Sequence, residues 1–196
     1  MGVFNPASSF DLVQTSIVKS GTQALAITPN GTLQSGAFHA DLPVGPRVAL
    51  TVDMYLASSS NQSAWQFAGL GGPGLSPFIG GIDISATNAI QLISNGFPVV
   101  GTFTRNVWHR LDFLFDFTAQ TYSFVFDGST LSTATPFCRD NGLCTSATPA
   151  LAYGNTIFDV FARLNSNDLG VIDNLSVSTV PEPGSFLLVG AGWRSC

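Results

Sequence analysis

Apolar residues fall at every second position along most of this chain. Across residues 47–56, Val48, Leu50, Val52, Met54 and Leu56 take one side, and Ala49, Thr51, Asp53 and Tyr55 the other. That is the period of a strand with one buried face. Residues 110–117 repeat it, with Leu111, Phe113, Phe115 and Phe117 opposite Arg110, Asp112, Leu114 and Asp116. Thr118-Ala119-Gln120 turns the chain, Tyr122, Phe124 and Phe126 continue on a partner strand, and Asp127-Gly128 marks a tight turn. Further strands are expected at 22–28, 36–42, 64–69, 79–84, 89–94, 98–103, 157–164 and 170–178. No segment carries a sustained helical period with caps. About eleven short strands joined by Gly, Pro and Asn loops imply an all-β fold, an antiparallel sandwich or jelly roll. Residues 129–152 read as the longest irregular stretch, and no domain boundary or internal repeat shows.

Composition narrows the function classes. The chain has 196 residues, 10% charged and 45% hydrophobic, with sixteen Phe and a net charge of −5. That length suits one domain with a sizeable core. Seven basic residues scattered from Lys19 to Arg194 cannot form the cationic patch that nucleic acid needs. The negative balance also argues against anionic membrane surfaces. Met1 to Pro6 lacks the basic and apolar regions of a secretory leader, so a leader is expected to lie outside this chain.

Cys138 and Cys144 bracket Arg139-Asp140-Asn141-Gly142-Leu143. Asp-Asn-Gly is turn chemistry that brings two nearby thiols together, so a local disulfide is expected, as in an oxidising compartment. Cys196 is left over.

Catalytic patterns are thin. Glycoside hydrolysis uses two carboxylates flanking the scissile bond. Glu182 is the single Glu and sits in the tail. Asp112 and Asp116 share a strand face but stand four residues apart, about 13 Å at strand rise. The two histidines, His39 and His109, accompany no Gly-x-Ser-x-Gly elbow, and His109 has the parity of core residues. Gly69-Leu70-Gly71-Gly72-Pro73-Gly74 matches a dinucleotide fingerprint in letters alone, since Pro73 prevents the helix that must follow. Sugar binding needs aromatic faces for pyranose rings, and Trp65, Trp108, Tyr55 and Tyr153 are the available ones, each with core packing as the plainer use.

Two stretches carry family resemblances. Val180-Pro181-Glu182-Pro183-Gly184-Ser185, running into Phe186-Leu187-Leu188-Val189, resembles the PEP-CTERM sorting signal of exported bacterial proteins. The resemblance implies a sorting and processing protease as partner, and an extracellular or cell-surface destination. The apolar run breaks at Trp193-Arg194, well short of the roughly 20 residues a bilayer span takes, so the signal reads as truncated and no stable membrane span is expected. Trp108-His109-Arg110-Leu111-Asp112-Phe113, followed by Thr121-Tyr122-Ser123-Phe124-Val125-Phe126-Asp127-Gly128, resembles the central hairpin of concanavalin A-like (LamG-type) lectin/glucanase domains. That implies a jelly roll over 1–178 with 179–196 as linker and tail. Galactose-binding-like jelly rolls share the first and last strand patterns and stay a rival. In such families a structural Ca²⁺ is common, which points to Asp173 and Asn174 with Asp11 as ligands.

Together these readings give an exported protein without enzymatic activity that binds a polysaccharide or takes part in an exopolysaccharide matrix. A self-assembling surface protein without sugar binding, and a glycan-active hydrolase or lyase on the same fold, are the alternatives.

Overall fold

The structure, a computed structural model, describes residues 12–28, 35–60, 62, 64–71, 78–138, 157–163 and 168–181. Two antiparallel sheets make up the fold, with no helix among the described residues. The first has seven strands in the order β1 (Leu12–Gln14), β2 (Ala24–Ile27), β13 (Gly170–Thr179), β4 (Arg47–Leu56), β9 (Trp108–Asp116), β10 (Thr121–Phe126) and β11 (Ser129–Pro136). The second has six, ordered β3 (Ser35–Asp41), β12 (Ile157–Arg163), β5 (Ala64–Leu70), β6 (Phe78–Ile84), β7 (Ala89–Leu92) and β8 (Val99–Thr102). This is the two-sheet antiparallel sandwich expected from the period-two pattern together with the hairpin resemblance.

The core lies between the sheets and follows the alternation. Val48, Leu50, Val52, Met54 and Leu56 of β4 and Leu111, Phe113 and Phe115 of β9 are buried there. They meet Trp65 and Phe67 of β5, Ile82 and Ile84 of β6, and Phe158 of β12. Phe113 and Phe158 face each other across the sandwich with ring centroids 5.3 Å apart. Each such ring contributes about 1.5–3 kcal/mol by leaving water.

Tyr122 bolts the two sheets together. Its hydroxyl donates toward the carbonyls of Gly81 (3.0 Å) and Ile93 (3.1 Å). Burial pushes its pKa well above the usual phenol range, outweighing the two backbone hydrogen bonds. Gly80 admits the ring: a Cβ there would stand 2.3 Å from a Tyr122 ring carbon, and its φ of 154° suits glycine.

One end of the sandwich is tied by a buried ion pair. Arg105 reaches Asp168 at 2.9 Å and also donates to Asn88 and the Ala57 carbonyl, while Ser59 and the Trp65 indole donate to Asp168. Four loops and strand β5 therefore share one polar knot, and its geometry satisfies charges that would otherwise be costly to bury.

Two strands lie beyond those expected. β1 is three residues long, too short to show a period. β11 occupies the stretch read as irregular, because it is an edge strand rich in Ser and Thr and exposed along most of its length. Its start is fixed by the turn at Asp127 (φ 48°) and Gly128 (φ 79°), both left-handed, as a two-residue hairpin loop demands.

Candidate functional site

Alternation on β5, β6 and β7 sends one residue of each strand's centre away from the core. Gln66 lies between the core residues Trp65 and Phe67, Asp83 between Ile82 and Ile84, and Gln91 between Ile90 and Leu92. The register sets them side by side: Gln66 opposite Asp83, and Asp83 opposite Gln91. The result is a carboxylate flanked by two carboxamides across three strands, each strand about 4.8 Å from the next.

This row is not solvated as an outer sheet face would be. Gln66 is 3% exposed and Asp83 6%. The neighbouring row explains part of the cover: Ala68, Ile93 and Cys138 form a second buried cluster, with Leu70 and Phe97 packed on it. Cys138 stands just after β11, so the chain leaving the seven-stranded sheet comes to rest on the outside of the six-stranded one. In the same sheet, the backbone pairs Phe161 with Gln66, and Asp159 with both Ala68 and His39. A sheltered carboxylate beside neutral N–H donors can exchange a proton and can bind an oxygen-rich ligand.

The residues expected from sequence to bind sugar fall into three places. Tyr55 and Trp108 are cross-strand partners on the outer face of the seven-stranded sheet, both half-buried, with ring centroids 5.7 Å apart and tilted by 51°. Trp65 is corrected: it is fully buried in the core and its indole N–H points to Asp168, so its faces are not open to a pyranose ring. Tyr153 lies outside the described residues.

Asp173 and Asn174 pin the loop between β1 and β2. Asp173 accepts the N–H groups of Lys19 and Ser20 at 3.0 Å each and that of Asn174 at 2.7 Å. Asn174 accepts the Ser20 hydroxyl and donates its amide to Asp53, each at 2.6 Å. A cation at these oxygens would have to displace those donors, so the described residues fit an ion poorly. Among the described residues no three His, Cys, Asp or Glu side chains converge as a metal site. Asp11, Cys144, Glu182 and Pro183 lie outside the described residues, and Pro181 is exposed after the last strand. Cys138 is buried and disulfide-bonded.

Other polar groups are engaged locally. Asp112 takes the Thr51 hydroxyl and Arg110, and Asp116 takes Arg47 and the Ala119 N–H. His109 is buried between Phe103 and Phe126, with its ring nitrogens on Asp127 (2.6 Å) and the Thr104 carbonyl (2.8 Å). None of these is aimed at the Gln66–Asp83–Gln91 row.

That row was missed in the sequence although its signal is there. Three consecutive strands each carry one polar residue between apolar neighbours: Trp65-Gln66-Phe67, Ile82-Asp83-Ile84 and Ile90-Gln91-Leu92.

No protein-family model and no curated protein sequence matches the chain. Solved structures do share its fold. A sialidase superposes with a TM-score of 0.64 at 8% identity, covering 90% of this chain but 16% of the sialidase. The cellulose-induced protein Cip1 gives a TM-score of 0.61 at 13% identity, covering 88% of this chain and 87% of Cip1. An endo-β-1,4-glucuronan lyase from the fungus Trichoderma reesei gives 0.61 at 14% identity, covering 89% of each. At such identities the likeness establishes the jelly-roll sandwich. It also corrects the expectation of a chain without enzymatic activity. Besides the glucuronan lyase, an alginate lyase, a carbohydrate esterase and the catalytic domain of a family 131 glycoside hydrolase adopt this fold. The architecture itself is therefore no argument for inactivity. No helix among the described residues is long and apolar enough to cross a membrane.

Proposed function

We propose that the protein is glycan-active and cleaves a uronic-acid polysaccharide by elimination on the outer face of the six-stranded sheet. The observation that carries this reading is the row Gln66–Asp83–Gln91, with Gln66 and Asp83 buried and Gln91 half-buried. Hydrolysis of a glycosidic bond asks for two carboxylates, and among the described residues this row supplies one. Elimination needs less. A single base removes the proton on the carbon beside the substrate carboxylate while neutral donors hold that carboxylate as charge builds on it. The electron pair then forms a carbon–carbon double bond as the glycosidic C–O bond on the next carbon breaks, and the departing oxygen takes its proton from the protonated base or from water. Asp83 is suited to the first task and the amides of Gln66 and Gln91 to the second. A site shielded from water strengthens both interactions. The glucuronan and alginate lyases that share the fold lend the substrate class.

The test is an incubation with glucuronan, alginate and polygalacturonate, following ultraviolet absorbance from new carbon–carbon double bonds at the cleaved ends. Wild type is expected to generate them from at least one polymer, and Asp83→Asn to generate them about 10²–10⁴-fold more slowly. Reducing ends without double bonds would replace elimination by hydrolysis, and intact polymers throughout would overturn the reading.

Export belongs to the same proposal. A disulfide at Cys138, read as Cys138–Cys144, suits an oxidising, extracellular setting, and the Pro181-Glu182-Pro183 triplet supplies an address read by a processing protease. Peptide mapping without reduction checks the pairing. Calcium at Asp173 and Asn174 would have to displace the N–H and hydroxyl donors those oxygens already take, so the melting temperature is expected to be unchanged by Ca²⁺ or chelator, and a rise with Ca²⁺ would reinstate the ion.

A further inference from the structure

We propose that the open face of the seven-stranded sheet holds a second binding site, at Tyr55, Asn106 and Trp108, for a neutral polysaccharide strand. This site stands apart from Asp83, on the opposite side of the sandwich.

The two rings are cross-strand partners at the ends of β4 and β9, on a face whose other positions are mostly polar or charged. Their 51° tilt gives two differently inclined apolar facets rather than one flat one. The site is also prearranged. The Tyr55 hydroxyl donates to the Asn106 side-chain oxygen at 3.3 Å, which also takes the Ser58 N–H at 2.9 Å, while the Asn106 amide donates to the Ser58 hydroxyl at 2.9 Å. Asn106 itself sits at φ 61°, and its N–H is held by the Leu56 carbonyl. Rings fixed before binding lose little freedom when a ligand arrives. Val107 beside them is 46% exposed. Apolar faces next to fixed amide and hydroxyl groups match the two sides of a sugar ring: C–H faces for stacking, hydroxyl edges for hydrogen bonds.

Charge selects the occupant. Among the described residues of this face, Arg110 beside the rings already lies 3.1 and 3.2 Å from the two oxygens of Asp112, and Lys19 stands farther along, its N–H on Asp173. Asp53 and Asp173 follow on the adjacent strands, as direct cross-strand partners. The neighbourhood is net negative, which repels a polyanion and leaves a neutral chain as the fitting ligand. A sandwich with unlike ligands on its two sides could bridge a neutral polymer to a uronic one.

The experiment is retention of the intact protein on microcrystalline cellulose, insoluble mixed-linkage β-glucan and immobilised polygalacturonate, with melting temperatures recorded for every variant. Wild type is expected to be retained by a neutral polymer. Trp108→Ala and Tyr55→Ala should weaken that at least tenfold with little change in melting, and Trp108→Phe should keep most of it. Soluble polygalacturonate should not compete, which separates this site from the Asp83 row whatever that row proves to do. The proposal is overturned if no neutral polymer retains the wild type, if Trp108→Ala binds as wild type, or if the rings prove to hold the uronic polymer instead.

Discussion

The two outer faces of this sandwich are built by the same period-two alternation, yet they meet water differently. On the seven-stranded side, Arg110, Asp112 and Asp116 keep contact with solvent and form short-range pairs. Two rings, Tyr55 and Trp108, stay half-exposed among them. On the six-stranded side, Gln66 and Asp83 stand at equivalent outward positions and are almost wholly enclosed. The difference lies in the cover. On one face a buried cluster of Ala68, Ile93 and Cys138 lies beside the row, while β4 and β9 stay partly open. Alternation decides which residues turn away from the core, and loops decide whether those residues become a solvated surface or a sheltered site.

Substitutions that act on one face and spare the other sharpen this comparison. The largest effect is expected from Asp83→Asn, with product release from a uronic polymer falling about 10²–10⁴-fold, as loss of a general base does. Initial rates measure it, and a rate near wild type would erase the distinction between the faces. Next comes the pair of tryptophans. Trp65→Ala should cost about 3–5 kcal/mol of stability in chemical denaturation, since it empties a core position. Trp108→Ala should stay within about 1 kcal/mol while losing retention on a neutral polymer. Equal costs would mean Trp108 is packing rather than surface.

Tyr122→Phe is expected to cost about 1–3 kcal/mol, because the Gly81 and Ile93 carbonyls lose the hydroxyl they share and Gly81 keeps the Ile93 N–H. The pH dependence has a definite sign. In the unfolded chain a tyrosine ionises near pH 10. The folded chain holds the Tyr122 proton to higher pH, so above about pH 10 the folded state binds more protons and stability falls as pH rises. Denaturant midpoints from pH 8 to 11 should decline less steeply in Tyr122→Phe than in wild type. The smallest effect is expected at Asp116→Ala, which removes an ion pair with Arg47 on the solvated face and should cost at most about 1 kcal/mol.

Much of the architecture is legible in the sequence. Phenylalanines at alternate positions of 111–117 and 122–126 can be buried together only on one side of a strand pair, and the hairpin and its Asp127-Gly128 turn follow. β11 was hidden because an edge strand buries little, so Ser129 to Pro136 has no apolar period to betray it. The site was less legible. Trp65 and Trp108 look alike as letters, and only strand parity against the core separates a packed indole from an open one. Gln66, Asp83 and Gln91 gain meaning through register, because residues 17 and 8 positions apart in sequence become neighbours once β5, β6 and β7 pair.

The most direct test of two chemically distinct faces is a nuclear magnetic resonance titration with soluble glucuronate oligosaccharides and, separately, neutral gluco-oligosaccharides. The uronic ligand should move the side-chain amide signals of Gln66 and Gln91 and leave the Trp108 indole N–H in place, while the neutral ligand should do the reverse. Both ligands shifting the same set of signals, or neither shifting any, would contradict the account.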